Sequence, residues 1–335
     1  MDLHKYILLS FLLLIPLARP IFGKSIFQQA QSLYKSGELT KAEQLYLRVR
    51  ANDSHYPEAL VRLGIIYYTT GRLSQAEQAF SKSLKYKESP VVYAYLAGVQ
   101  FNQRKFVEAH NSALSALRID PRCAQAYTAL GMIYAATNDW PLARSAYQQS
   151  LRINPKDANT WYLLGTACFR RDDFTSAKRD FERALSLDPR QLRIYEDLAR
   201  TLELLNKPSQ TEAIFREAIR LNRQEKFPNS SILEAYGAFL SRQGRPAESL
   251  AQFREAVRLA PKDAKAHYEV ANQLLRMRQW QEAAREGETA LSRGESDYRV
   301  HYLLAQAYTA LGQSAKAARQ AQTAAALAED ARNKY

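Results

Sequence analysis

The chain has 335 residues, 46% apolar and 24% charged, with only 12 Gly and 12 Pro. Turn residues this sparse exclude collagen-like and turn-dense all-β classes. The apolar share excludes disorder, which leaves a largely helical globular chain. Lys and Arg number 47 against 34 Asp and Glu, a net charge of +13, which favours contact with polyanions, anionic membrane surfaces or acidic protein segments and says nothing of fold.

Residues 1–23 differ in character from the rest of the chain. Lys5 precedes an apolar run from Tyr6 to Ala18, ended by Arg19 and Pro20, the pattern of a secretory leader. A helix of that length rises about 20 Å, short of the roughly 30 Å hydrocarbon core of a bilayer, so export is expected over a permanent span. Signal peptide and N-terminal membrane anchor both stay open, because the small residue at the end of the run is Gly23 and the bulky Ile21 stands two before it. The expected location is periplasmic or extracellular, with an inner-membrane tether if the leader is kept.

From residue 24 to 335 the chain repeats itself at an interval of about 34 residues. One copy reads Leu60, Leu63, Gly64, Tyr67, Ala76, Phe80. The fourth reads Tyr127, Leu130, Gly131, Tyr134, Ala143, Tyr147, Ser150, Pro155, and the fifth Trp161, Leu164, Gly165, Cys168, Ala177, Phe181, Ala184, Pro189. Small residues such as Gly131, Gly165, Ala143 and Ala177 let two antiparallel helices approach to roughly 8–10 Å. Aromatics such as Tyr147, Phe181, Phe215 and Phe253 fill the space toward the next unit, and Pro121, Pro155, Pro189 and Pro261 stop the second helix of their units. Each unit leaves an apolar face that only its neighbour covers, so the copies must stack.

These residues resemble the tetratricopeptide repeat pattern, W-x2-L-G-x2-Y, then A-x3-F, then P. Alignment on the alanine of the second helix gives about nine units, starting near 23, 57, 90, 124, 158, 192, 230, 264 and 298. The resemblance implies an all-α fold, a right-handed superhelical solenoid of stacked antiparallel helix pairs. The first unit shows Gln29 and Ala30 in place of Leu-Gly, and the eighth has Gly287 where an aromatic usually packs. The polar, Pro-bearing stretch at 222–230 lengthens the spacing after the sixth unit and reads either as a hinge or as a longer loop without motion. An Ala-rich last helix is expected from Gln313 to about Ala328.

No phosphate loop, G-x-G-x-x-G, H-E-x-x-H, G-x-S-x-G or paired-cysteine zinc pattern occurs, so no catalytic, cofactor-binding or metal-binding residue is expected and the protein reads as a non-enzyme. Cys123 and Cys168 read as free thiols. His267 and His301 occupy the same place in successive units, one where the repeat buries an aromatic, and read as packed structural residues.

The resemblance places partner binding on the inward face of each first helix, at the second, fifth, ninth, twelfth and thirteenth repeat positions. The aromatics there are Phe27, Tyr34, Tyr68, Phe101, Tyr162, Phe169, Tyr268 and Tyr302, for each of which packing between units is the alternative role. The cations are Arg170, Arg193, Arg200, Arg242, Lys265, Arg276 and Arg299, with Asn272 beside them. The family's two-carboxylate clamp for chaperone C-termini is not reproduced, since Tyr268 and Leu303 stand where its Lys and second Asn belong. The expected function is a scaffold binding a peptide or partner segment, with or without acidic residues, in cell-envelope assembly or secretion. The alternative is binding of an anionic glycan or nucleic acid through the basic surface, which would weaken steeply with salt; export makes nucleic acid the poorer candidate.

Overall fold

A computed structural model of the chain describes residues 25–224, 228–295 and 297–333; the leader expected over 1–23 lies outside them. The chain divides into two compact units, one ending at Ile153 and the other beginning at Asn154. Among the described residues every regular element is a helix.

The first unit holds four helix pairs: α1 (Ile26–Lys35) with α2 (Leu39–Tyr46), α3 (Tyr56–Thr69) with α4 (Leu73–Tyr86), α5 (Pro90–Asn102) with α6 (Phe106–Ile119), and α7 (Ala124–Ala136) with α8 (Trp140–Ile153). The second holds five: α9 (Ala158–Arg170) with α10 (Phe174–Leu187), α11 (Leu192–Leu204) with α12 (Pro208–Asn222), α13 (Ser231–Arg242) with α14 (Pro246–Leu259), α15 (Ala264–Arg276) with α16 (Trp280–Ser292), and α17 (Tyr298–Ala310) with α18 (Ser314–Asn333). We term the first helix of each pair A and the second B. Within a unit each B helix packs on its own A helix and on the next A helix along the chain. Successive A helices also touch, as α5 does α7 and α13 does α15.

Local sequence sets where these helices begin and turn. Ser25 closes a capping box on α1, its Oγ accepting from the Gln28 amide at 3.2 Å while Gln28 Oε1 accepts from the Ser25 amide at 3.1 Å. Asp157, Asp173, Asp263 and Asp297 cap α9, α10, α15 and α17 through their side chains. Every turn from A to B contains one residue in the left-handed region, with φ between 53° and 81°: Gly37, Gly71, Arg104, Asn138, Asp172, Asn206, Gly244, Arg278 and Gly312. Gly, Asn and Asp enter that region cheaply, whereas Arg104 and Arg278 do so at a cost of about 1–2 kcal/mol that packing of the pair must offset.

Size complementarity between A and B helices organises the core. A Cβ placed on Gly64, Gly131, Gly165 or Gly237 would lie 2.5, 2.5, 2.7 and 2.8 Å from the rings of Phe80, Tyr147, Phe181 and Phe253 respectively, inside van der Waals contact. Each ring comes after its glycine at the same interval along the chain. The A position is alanine in other pairs, Ala97 before Ala113 and Ala271 before Gly287 where the B residue is small, and Ala30 before Tyr46 and Ala199 before Phe215 where it is a ring. The gap that Gly287 leaves is filled from the next pair, with Leu304 Cδ2 at 2.9 Å from a Cβ placed there. The eighth repeat thus keeps a filled core without its aromatic.

A second recurring contact fixes the fourth position of the A helix. Trp161 Nε1 donates to the Pro155 carbonyl at 3.0 Å, Tyr195 Oη to that of Pro189 at 3.1 Å, and His267 Nε2 lies 3.2 Å from that of Pro261. The same ring slot therefore accepts Trp, Tyr or His provided a polar hydrogen reaches back to the proline carbonyl in the loop just before its helix. Neighbouring B helices are tied by ion pairs whose carboxylates are largely covered, Arg72 to Glu43 at 2.6 Å, Lys105 to Glu77 at 2.7 Å and Arg245 to Glu212 at 2.8 Å. These pairs set the register between successive B helices.

The connection after α12, read as hinge or long loop over 222–230, includes residues 225–227, which lie outside the described residues. Its flanks are bridged by the buried Asn222, whose Nδ2 donates to the Asn229 carbonyl at 2.7 Å and whose Oδ1 accepts from the Asn229 amide at 2.8 Å. The last helix runs on to Asn333, beyond the expected end near 328, and buries Ala317 and Ala324. Both cysteines are buried, and neither forms a disulfide among the described residues.

Candidate partner-binding face

The A-helix positions expected to form a binding face divide by environment. Phe27 is a correction: it is 4% exposed, stacks on His55 at 4.7 Å between ring centroids and tilts against Tyr46, so it belongs to the core of the first unit. On the first described helix, with no described repeat before it, the ring turns toward its own partner helix and the next loop. Phe101 and Phe169 are half-buried and pack at 5.7 and 5.4 Å on Phe106 and Phe174, the opening residues of the B helices of their pairs. They brace the turns, leaving part of each ring open. Tyr302 on α17 is 60% exposed.

The remaining tyrosines link successive A helices. In the first unit Arg62 lies over the Tyr34 ring at 5.5 Å, and Asn102 Nδ2 donates to Tyr68 Oη at 3.0 Å. In the second, Tyr162 Oη donates to Asp197 Oδ2 at 2.9 Å while Arg193 lies over its ring at 4.4 Å and reaches Asn159. Burial, and secondarily Asp197, holds the Tyr162 hydroxyl above its ordinary range. Arg299 lies over Tyr268 at 5.8 Å.

The cations expected to make the second unit's face basic are largely engaged. Arg242 pairs with Glu203 at 2.8 Å, Lys265 with Glu234 at 3.2 Å and Arg299 with Asp297 at 2.7 Å. Arg276 Nη1 reaches Ser241 Oγ at 3.4 Å, and Asn272 is half-buried on α15. Arg170 and Arg200 have no carboxylate partner within ion-pair distance among the described residues, and Arg200 is exposed. Further polar links run between A helices, Ser231 to Glu196 at 2.6 Å and Ser241 to Gln273 at 2.9 Å. Glu269 lies among these groups; burial pushes its carboxyl above the ordinary range against the pull of Lys265, and Glu234 adds to the rise.

Each unit carries an open cavity on this face. In the second unit a cavity of about 300 Å³ is bounded by Glu196, Asp197, Arg200, Glu203 and Arg242, over Phe215. In the first a cavity of about 400 Å³ lies between α3 and α5, walled by Val61, Ile65, Val91, Val92 and Tyr95 with Arg62 and Lys87. Sequence reasoning missed these aliphatic walls because it weighed aromatics and charges alone. Val61, Ile65 and Val91 occupy the fifth, ninth and second positions of their repeats, so the positional rule itself was the signal available.

His267 is buried, with Nδ1 2.7 Å from Glu286 Oε2, and His301 Nδ1 lies 2.6 Å from Gln320 Oε1. These contacts tie A to B within each pair. No group of three metal-ligating side chains gathers among the described residues.

Nine antiparallel helix pairs among the described residues, with glycine and ring positions matched in size, define a helical-hairpin repeat array. The family described as the cilia and flagella-associated protein 70 C-terminal domain matches residues 22–234, and that described as the tetratricopeptide repeat matches 240–276 and 268–333. The chain belongs to the tetratricopeptide repeat family. Comparison with curated proteins gives no match. Among solved structures it is similar to a tetratricopeptide repeat protein from Parabacteroides merdae, with 17% identity over 74% of this chain and 97% of that one and a TM-score of 0.52. It is similar also to the C-terminal part of a repeat-containing protein from Cytophaga hutchinsonii, at 18% identity, 73% and 99% coverage and a TM-score of 0.51. The Cut9–Hcn1 hetero-tetramer of the APC/C aligns at 14% identity and a TM-score of 0.52 over 90% of this chain, which spans 60% of that one. At these identities the likeness is one of fold.

Proposed function

We propose that the protein is a non-catalytic interaction scaffold that holds an extended or helical segment of another protein against the A-helix faces. The observation that supports this most is that A-helix residues of both units border open cavities, one between α3 and α5 walled by half-exposed Val61, Ile65, Val91 and Tyr95, the other bounded by the charged Glu196, Arg200 and Arg242 over Phe215. Rigid rings and branched aliphatic chains give contact area at small entropic cost, and the polar links between A helices hold that surface in shape before a partner arrives. The leader pattern in residues 1–23 favours an exported protein acting in envelope assembly or secretion.

The test uses groove residues that fold does not need. A pull-down from envelope extract with the wild-type chain is compared with an Arg200→Glu, Tyr302→Ala double variant. Specific partners are expected to drop out in the variant while its helical circular dichroism stays unchanged. Recovery of an identical set of proteins from both baits contradicts the assignment of the A face.

A further inference from the structure

The two cavities differ in what they leave unsatisfied. Around the cavity of the second unit, Glu203 is paired with Arg242, Asp197 accepts from Tyr162 and Glu196 accepts from Ser231. Its charges are mostly spent on holding α9, α11 and α13 together. The cavity of the first unit has apolar walls open to solvent, Val91 being 41% exposed, and the flat stack of Tyr95 on Phe80 at 5.6 Å stiffens one side. Its volume of about 400 Å³ falls in the range of sites that enclose a side chain or small ligand.

Its polar groups are underused. Arg62 meets Glu58 only at 3.4 Å, longer than the 2.7–2.9 Å of a good charged hydrogen bond, and its Nε is buried without an acceptor. Lys87 lines the same cavity with no carboxylate partner among the described residues. The cations Arg62 and Lys87, against the single lining carboxylate Glu58, border an apolar hollow and complement a carboxylate carried next to a large apolar side chain.

Resting on the scaffold reading above, we infer that the α3–α5 cavity is the anchor site of the first unit. It takes one bulky apolar side chain of a peptide segment whose neighbouring residue brings a carboxylate to Arg62 and Lys87. The apolar walls supply the affinity and the cations set the direction of the chain. A polyanion such as nucleic acid or a sulfated glycan would leave Val61, Ile65, Val91 and Tyr95 uncovered, so it is the poorer occupant.

The experiment is selection of a random-peptide phage library on the full-length chain, then titration of the enriched peptides against variants. Enrichment of sequences that join a Phe, Leu, Ile or Trp to an Asp or Glu is expected. Val91→Asp, at an exposed site that folding does not need, should weaken those peptides by about tenfold or more, as expected for expelling one buried apolar side chain. Arg62→Gln and, independently, Lys87→Glu should reduce the preference for Asp or Glu over Lys in the neighbouring position while the apolar preference stays. Absence of an enriched apolar–acidic pair, or equal binding by wild type and Val91→Asp, overturns the assignment. Loss of envelope partners in the Arg200→Glu, Tyr302→Ala variant alongside their retention by Val91→Asp would overturn the anchor and leave the scaffold reading standing.

Discussion

Phe181→Ala is expected to destabilise the second unit by about 3–5 kcal/mol, read as a shift of the urea unfolding curve. The ring is 1% exposed, lies against the bare Cα of Gly165 and tilts on Tyr162 at 5.8 Å between centroids. Its removal leaves a hollow that the glycine has no side chain to enter, so the cavity penalty adds to the lost burial. Because adjacent repeats stabilise one another in a stacked array, the loss should extend to the α9 and α11 pairs, and hydrogen exchange should rise there first. A shift of less than about 1 kcal/mol would mean that the ring is not a core element.

The second large effect is a reversal of sign for one substitution. In a solvent-facing helix Ala exceeds Gly by about 1 kcal/mol. Gly98→Ala should therefore stabilise the first unit, since the nearest atom to an added Cβ is Tyr68 Oη at 3.8 Å. Gly165→Ala puts the same methyl 2.7 Å from the Phe181 ring, and overpacking of about 1–3 kcal/mol outweighs the propensity gain. Opposite shifts in melting temperature are expected from the two variants. If both were stabilising, the close approach of A and B helices would not be what these glycines serve.

The helix pairs were legible because size complementarity recurs in the sequence itself: Gly131 with Tyr147 and Gly165 with Phe181 are visible as text. The turns were harder. Their left-handed residue is Gly at some sites but Asn138, Asp172 or Arg278 at others, so a conformational requirement is met by residues that share no letter. The binding face was legible as a set of positions and not as a set of environments. Phe27 has the right repeat position yet is buried, because it begins the first described pair and packs on His55. Arg242 and Lys265 look like free charges in sequence, but their carboxylates, Glu203 and Glu234, come from the neighbouring A helix. Pairing of this kind depends on how helices stack, which one-dimensional spacing conveys only through the fold.

The central claim is that the A faces, and not the outer B faces, meet the partner. Site-specific photocrosslinking in the native host measures this directly, with a photoreactive residue placed at Val91 or Tyr302 on A helices and at Val107, 72% exposed on the B helix α6. Crosslinks to another protein are predicted from Val91 and Tyr302 and not from Val107. Crosslinks from Val107 alone, or from none of the three, would contradict the account.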